Sequence, residues 1–134
     1  MEVVIAPEAQ LAFIHRMAAA MDALPGVASS GLGSPGPLGW NETAVQVRGR
    51  APISWHGKPM PKIFGITDGY LEALQVPLLA GRGLTAGDAS APVAIISRSV
   101  ARRLFPAPAS PLGQFIRMDT PGEPWSKIIG VTGD

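Results

Sequence analysis

Proline and glycine gather in three places along this chain, at residues 25–39, 49–61 and 106–124, and apolar runs lie between them. Proline lacks the amide that a helix interior or a central strand needs, and glycine loses the most backbone freedom on ordering. The three clusters therefore read as loops between elements. Fourteen prolines and sixteen glycines spread evenly would suggest disorder, but here apolar runs fill the gaps between clusters. A chain of 134 residues fits one domain with a real core and leaves no room for a second large one.

Between residues 62 and 88 the turn, helix and strand signals follow one another without a gap. Residues 62–67 read as a strand, with Ile63, Phe64 and Ile66 giving β-branched and aromatic bulk. Thr67 or Asp68 is expected to cap a short helix whose apolar face is Tyr70, Leu71 and Leu74, stopped by Pro77. Leu78, Leu79 and Ala80 continue extended, and Gly81-Arg82-Gly83 turns the chain. Arg82 has two readings: a surface charge, or a planar fork that fixes the turn by binding backbone carbonyls, which is the preferred one.

Upstream, Leu11, Ile14, Met17, Ala18, Met21 and Leu24 recur at three and four residues, an amphipathic helix stopped by Pro25-Gly26 and expected to pack on the domain's own sheet. Residues 27–32 form a weak strand pattern. Residues 43–48 alternate, with Val45 and Val47 on one side and Gln46 and Arg48 on the other. Downstream, residues 92–97 read as a buried strand. Ser97 or Ser99 then opens a helix with Val100, Ala101 and Leu104 inward and Arg98, Arg102 and Arg103 outward, ended by Pro106. Residues 115–118 and 127–131 are two more strands, joined through Pro121-Gly122. Short helices among several short strands make the fold class α+β, with helices on small mixed sheets.

Most chemistry is missing from the sequence. Eleven basic and ten acidic residues leave a charge of +1 with no long basic run, so no nucleic-acid footprint is visible. Gly31-Leu32-Gly33-Ser34-Pro35-Gly36 matches a dinucleotide fingerprint in letters, but Pro35, Pro37 and Gly39 forbid the helix that must receive the pyrophosphate, and the segment reads as a flexible loop. There is no phosphate-binding Gly-Lys-Ser/Thr loop. His15 and His56 are the only histidines and there is no cysteine, so a closed zinc site would need carboxylates from afar and a serine hydrolase one of these two as base; both read better as solvated or locally bonded, and Ser34 lies outside the nucleophile pattern. Trp40, Trp55 and Trp125 all neighbour loops; each ring is expected to cover one end of the core, and partner contact is the alternative. No segment approaches the roughly 20 apolar residues of a membrane span. If the parent protein is exported, its signal is expected outside this chain, and the end after Val131-Thr132-Gly133-Asp134 reads as a cut.

Taken in order, Leu24-Pro25-Gly26-Val27, then Tyr70, Leu74, Val76-Pro77-Leu78-Leu79, Gly81-Arg82 and Asp88, then Val93-Ala94-Ile95-Ile96, Ala101-Arg102-Arg103-Leu104-Phe105-Pro106, Pro111-Leu112-Gly113 and the run from Ile128 through Gly130 and Gly133 to Asp134, form a pattern. It resembles the MacB-like periplasmic core domain of ABC transporter permeases of the FtsX/MacB type. Gln75 stands where that family has glycine, and Ser97-Arg98 where it has Asn-Glu. The resemblance implies one extracytoplasmic domain over residues 1–134, incomplete at its C-terminal end, with a porter-like α/β part and a small second lobe, divided as 1–89 and 90–134 and truncated before a returning segment.

By the same resemblance, Tyr70, Leu74, Pro77, Gly81, Arg82, Arg103, Leu104, Phe105, Pro106, Gly113, Gly130, Gly133 and Asp134 are structural motif residues, and none is catalytic. The implied role is mechanotransmission: coupling permease motion to efflux or partner engagement at the periplasmic face of the inner membrane. No cofactor is implied, ATP being bound by a separate nucleotide-binding domain or subunit. The implied partners are the membrane-embedded parts of the same permease, with a homodimer through an unpaired strand edge, a periplasmic adaptor and an outer-membrane channel as further ones, and no nucleic acid. The alternative is a stand-alone extracytoplasmic module binding a small apolar or peptidic ligand through the tryptophan loops. A hydrolase ranks third.

Overall fold

The computed structural model describes residues 13, 16–17, 19–31, 33–35, 41–42, 44–66, 68–85, 87–88 and 91–133. Its strands are β1 (Gly33–Pro35), β2 (Asn41–Glu42), β3 (Val45–Val47), β4 (Lys62–Ile66), β5 (Leu78–Gly81), β6 (Val93–Ser97), β7 (Phe115–Met118) and β8 (Ser126–Thr132), with helices α1 (Tyr70–Ala73) and α2 (Arg98–Leu104) between them. The fold is α+β. A three-stranded antiparallel sheet has β4 at its centre, with β1 on residues 64–66 and β2 on residues 62–63. A five-stranded mixed sheet is built around β8. Strand β6 runs parallel to β8, whereas β7 and β5 meet its first and last residues antiparallel, and β3 pairs with β7.

Helix α2 shows how local signals become packing. The Ser97 hydroxyl accepts from the Val100 amide at 3.4 Å, the expected cap, and Phe105 closes the other end. Arg102 and Arg103 fall in the last turn, where a cation suits the helix dipole. The inward face, Ala101 and Leu104, joins Phe105, Val45, Val47, Trp55, Ile96, Ile116, Ile128 and Val131 in one buried cluster. Ile128 is fully enclosed, so β8 carries the core. Burial of this kind is the main favourable term in folding.

Several expectations need correction. The strand expected over 27–32 lies instead at Gly33–Pro35, inside the stretch read as a flexible loop, because β4 offers it a ladder. Gln46 is buried along with Val45 and Val47, since the loop after β3 covers the outer face: its amide donates to Ile53 O at 3.2 Å and to Asp119 at 3.3 Å, and accepts from Ile53 N at 2.7 Å. Gly69, not a side chain, occupies the start of α1, and Leu74 is 58% exposed. Residues 13, 16, 17 and 19–22 are helical as read, but Phe13 and Leu24 are exposed and Met17 and Met21 only half-buried. The large sheet takes β3 and β5 from before residue 90 and β6, β7 and β8 from after it. His15, Trp40 and Asp134 lie outside the described residues.

Candidate functional site

Pro77, Leu78, Gly81 and Arg82 of the central motif meet the Ile129–Gly133 stretch at the seam where β5 pairs with β8. Gly81 has φ 72°, a left-handed conformation, and a Cβ there would stand 2.1 Å from the Ile129 carbonyl. Opposite, a Cβ on Gly130 would stand 2.4 Å from the Arg82 carbonyl. The two backbones approach this closely because neither residue has a side chain. The Arg82 amide then donates to Ile129 O at 2.9 Å, and the Gly133 amide to Pro77 O at 2.9 Å, closing both ends of the seam. Gly113, two residues before β7, donates to Ile128 O at 2.9 Å.

Past the seam, Arg82 folds over its own turn. One guanidinium N–H reaches the Gly83 carbonyl at 3.1 Å, as the sequence suggested. The stronger attachment is one the sequence did not reveal: a two-pronged bridge to the Asp88 carboxylate at 2.8 and 2.9 Å. Asp88 also accepts from the Thr85 amide at 2.8 Å and the Thr85 hydroxyl at 3.3 Å. These donors, Arg82 first and the Thr85 amide next, hold the Asp88 carboxyl well below the usual carboxylate range, and Asp88 in turn raises the Arg82 pKa. The result is a pinned corner with its charges already paired. Beside it a shallow cleft of about 350 Å³ is lined by Ile66, Asp68, Leu71, Val76, Leu78 and Leu84.

The second motif block is mostly core. Leu104 and Phe105 are buried at 2% and 3% exposure, and Pro106 is exposed just beyond them. Arg103 lies over the Trp55 ring at 5.1 Å and donates to Pro59 O at 2.9 Å. Trp55 itself is buried, its indole N–H donating to Val45 O at 3.0 Å, so most of its ring is a wall of the core. Trp125 is half-buried beneath Arg117, 4.4 Å from ring centre to guanidinium carbon. Tyr70 is half-buried at the start of α1, and Leu74 and Pro77 are exposed at its end. The sequence reading missed Arg50, which lies over Phe105 and donates to the Leu104 carbonyl at the end of α2. Its only signal was an arginine two residues after a strand. Among the described residues no group of acidic residues or histidines could hold a metal ion. No helix among them is long and apolar enough to cross a membrane.

Among the described residues the motif positions form a glycine seam and a pinned arginine corner on a small mixed sheet. Residues 9–134 match the model of the MacB-like periplasmic core domain. The chain belongs to that family, which places it in the periplasmic or extracellular region of an ABC-type transporter permease. Among solved structures it is similar to the periplasmic region of MacB from Actinobacillus actinomycetemcomitans, with TM-score 0.65, 20% identity, and 90% of this chain against 50% of that one. It is also similar to the extracellular domain of the noncanonic ABC-type transporter YknZ from Gram-positive bacteria, with TM-score 0.58 and 21% identity over 91% of this chain and 58% of that one. A domain of a permease protein from Porphyromonas gingivalis matches at TM-score 0.52 and 20% identity, over 83% and 41%. The chain thus spans about half the length of the solved structures it resembles. A comparison with curated protein sequences finds no match.

Proposed function

We propose that this domain transmits force: it carries the motion of the permease's membrane helices to the outer side, where that motion drives export or engages a partner. The observation that supports this reading most is where the family's recurring residues lie. Gly81, Gly130 and Gly133 hold the β5/β8 seam, Leu104 and Phe105 fill the core, and Arg82 pins a corner; none of them lines a cleft as a reacting group. A body that passes displacement on needs close packing, because packed interiors are stiff and transmit strain. In this reading the domain is not an enzyme and holds no cofactor, and ATP is bound and hydrolysed by a separate nucleotide-binding domain or subunit. A second copy, a periplasmic adaptor and an outer-membrane channel are the partners on which the transmitted motion would act.

The test uses the parent permease reconstituted in vesicles with its ATPase. Gly130→Val puts a branched side chain against the Arg82 carbonyl and opens the seam. The expected result is ATP hydrolysis near the unmodified rate with export largely lost. Export that continues unchanged with the seam forced apart would overturn the proposal.

A further inference from the structure

The C-terminal turn of α2 and the loop after β3 frame a cleft of about 250 Å³. Its floor is apolar, formed by Ile53, Trp55, Leu104 and Pro106, and its rim carries three cations, Arg50, Lys58 and Arg103. No acidic residue lines it. Among the described residues none of the three cations is bridged to a carboxylate; the bridge found there joins Arg82 to Asp88. Like charges gathered this way repel, and an arriving anion relieves that repulsion.

Both guanidiniums are already fixed. Arg50 rests on the Phe105 ring and donates to Leu104 O; Arg103 rests on the Trp55 ring and donates to Pro59 O. Each of those bonds uses one of five N–H donors, so the others remain available to a ligand. Groups held in place before binding lose little freedom on binding, which favours affinity. A guanidinium fork matches a carboxylate in particular. The volume is below that of ordinary small-molecule pockets and suits one or two side chains. The cations line a concavity, whereas attraction to a lipid headgroup layer requires them spread over an open face.

We infer that this cleft is a docking site for an acidic peptide segment of a partner protein, one that presents a carboxylate next to a small apolar side chain. The carboxylate bridges the Arg50 and Arg103 forks, Lys58 adds a third charge, and the apolar side chain rests on Ile53 and Pro106. The inference is independent of force transmission and would stand or fall without it.

The experiment is an NMR titration of the isotope-labelled chain with the blocked peptide acetyl-Leu-Glu-Glu-Leu-amide. Its glutamine counterpart, inorganic phosphate, and vesicles of phosphatidylcholine and phosphatidylglycerol in equal parts serve as comparisons. The expected result is movement of the Arg50 and Arg103 side-chain N–H signals and of the Trp55 indole signal with the acidic peptide. Lys58→Glu, whose amine has no partner to lose among the described residues, should weaken that binding about tenfold or more while leaving the rest of the spectrum in place. Arg103→Gln should weaken it similarly. Equal binding of the glutamine peptide, binding of phosphate as tight as the peptide, binding of the vesicles alone, no binding at all, or an unchanged affinity in Lys58→Glu would each overturn the inference.

Discussion

Gln75 holds φ at 56°, where an ordinary side chain crowds the backbone, and it does so where α1 ends and the chain turns toward β5. Its amide accepts that conformation to donate to Glu72 O at 3.0 Å. Left-handed backbone costs a residue with a Cβ about 1–2 kcal/mol, and glycine recovers most of it against its own entropy cost of roughly 0.5–1. Gln75→Gly is therefore expected to stabilise the domain by about 0.5–1 kcal/mol, measured as a higher urea midpoint with an unchanged slope. Gln46 makes the opposite case. Its side chain satisfies both the amide and the carbonyl of Ile53 inside the protein. Gln46→Leu leaves those groups without partners and should cost about 1–3 kcal/mol by the same measurement. The Asp88 carboxyl loses its proton more readily in the folded chain than at its ordinary value of 3.8. The folded state then binds fewer protons than the unfolded one, so Asp88's contribution is complete above about pH 4 and drains away as pH falls below it. Asp88→Asn should flatten the acid limb of the stability profile and speed amide exchange at Thr85; an acid limb identical to that of the unmodified chain would count against the pinned corner.

At the scale of elements, what the sequence disclosed was what neighbours in sequence decide. Helix α2 was legible because its cap, its apolar spacing and its proline stop all lie within ten residues, and β5 and β8 were legible as apolar runs bounded by turn residues. What it hid was decided by partners far along the chain. Gly33–Pro35 has no strand preference of its own and is a strand only because β4 supplies the ladder. Gln46 alternates as an outward residue and is buried by a loop folded over it. The first helix shows a clear apolar stripe, yet its described residues stay largely uncovered. Trp55 gave a hint of a cleft but not of the two arginines that frame it, since Arg50 and Arg103 are 53 positions apart. Burial at β8 gives a direct test of where the core lies. Ile128→Ala should cost about 2–5 kcal/mol, whereas Leu79→Ala, at a half-exposed position on β5, should stay within about 0.5 kcal/mol. Equal losses at the two sites would mean that the core lies elsewhere.

For the whole molecule, the Arg82–Asp88 pair, the glycine seam and the buried cluster of the described residues support the proposed account of a stiff body that holds its shape. Its free features, the cationic cleft and the exposed leucines of β5, face outward, where other parts of a permease or its partners would meet it. Such a body should move as a unit when the transporter turns over. The measurement that tests this most directly is hydrogen–deuterium exchange on the parent permease, compared between its nucleotide-free and ATP-trapped states. The account predicts equal protection of the amides of α2, β6 and β8 in both states, with changes confined to exposed surfaces of the domain. Loss of protection within β8 or α2 on trapping would contradict it, because the domain would then be rearranging inside and not carrying motion across.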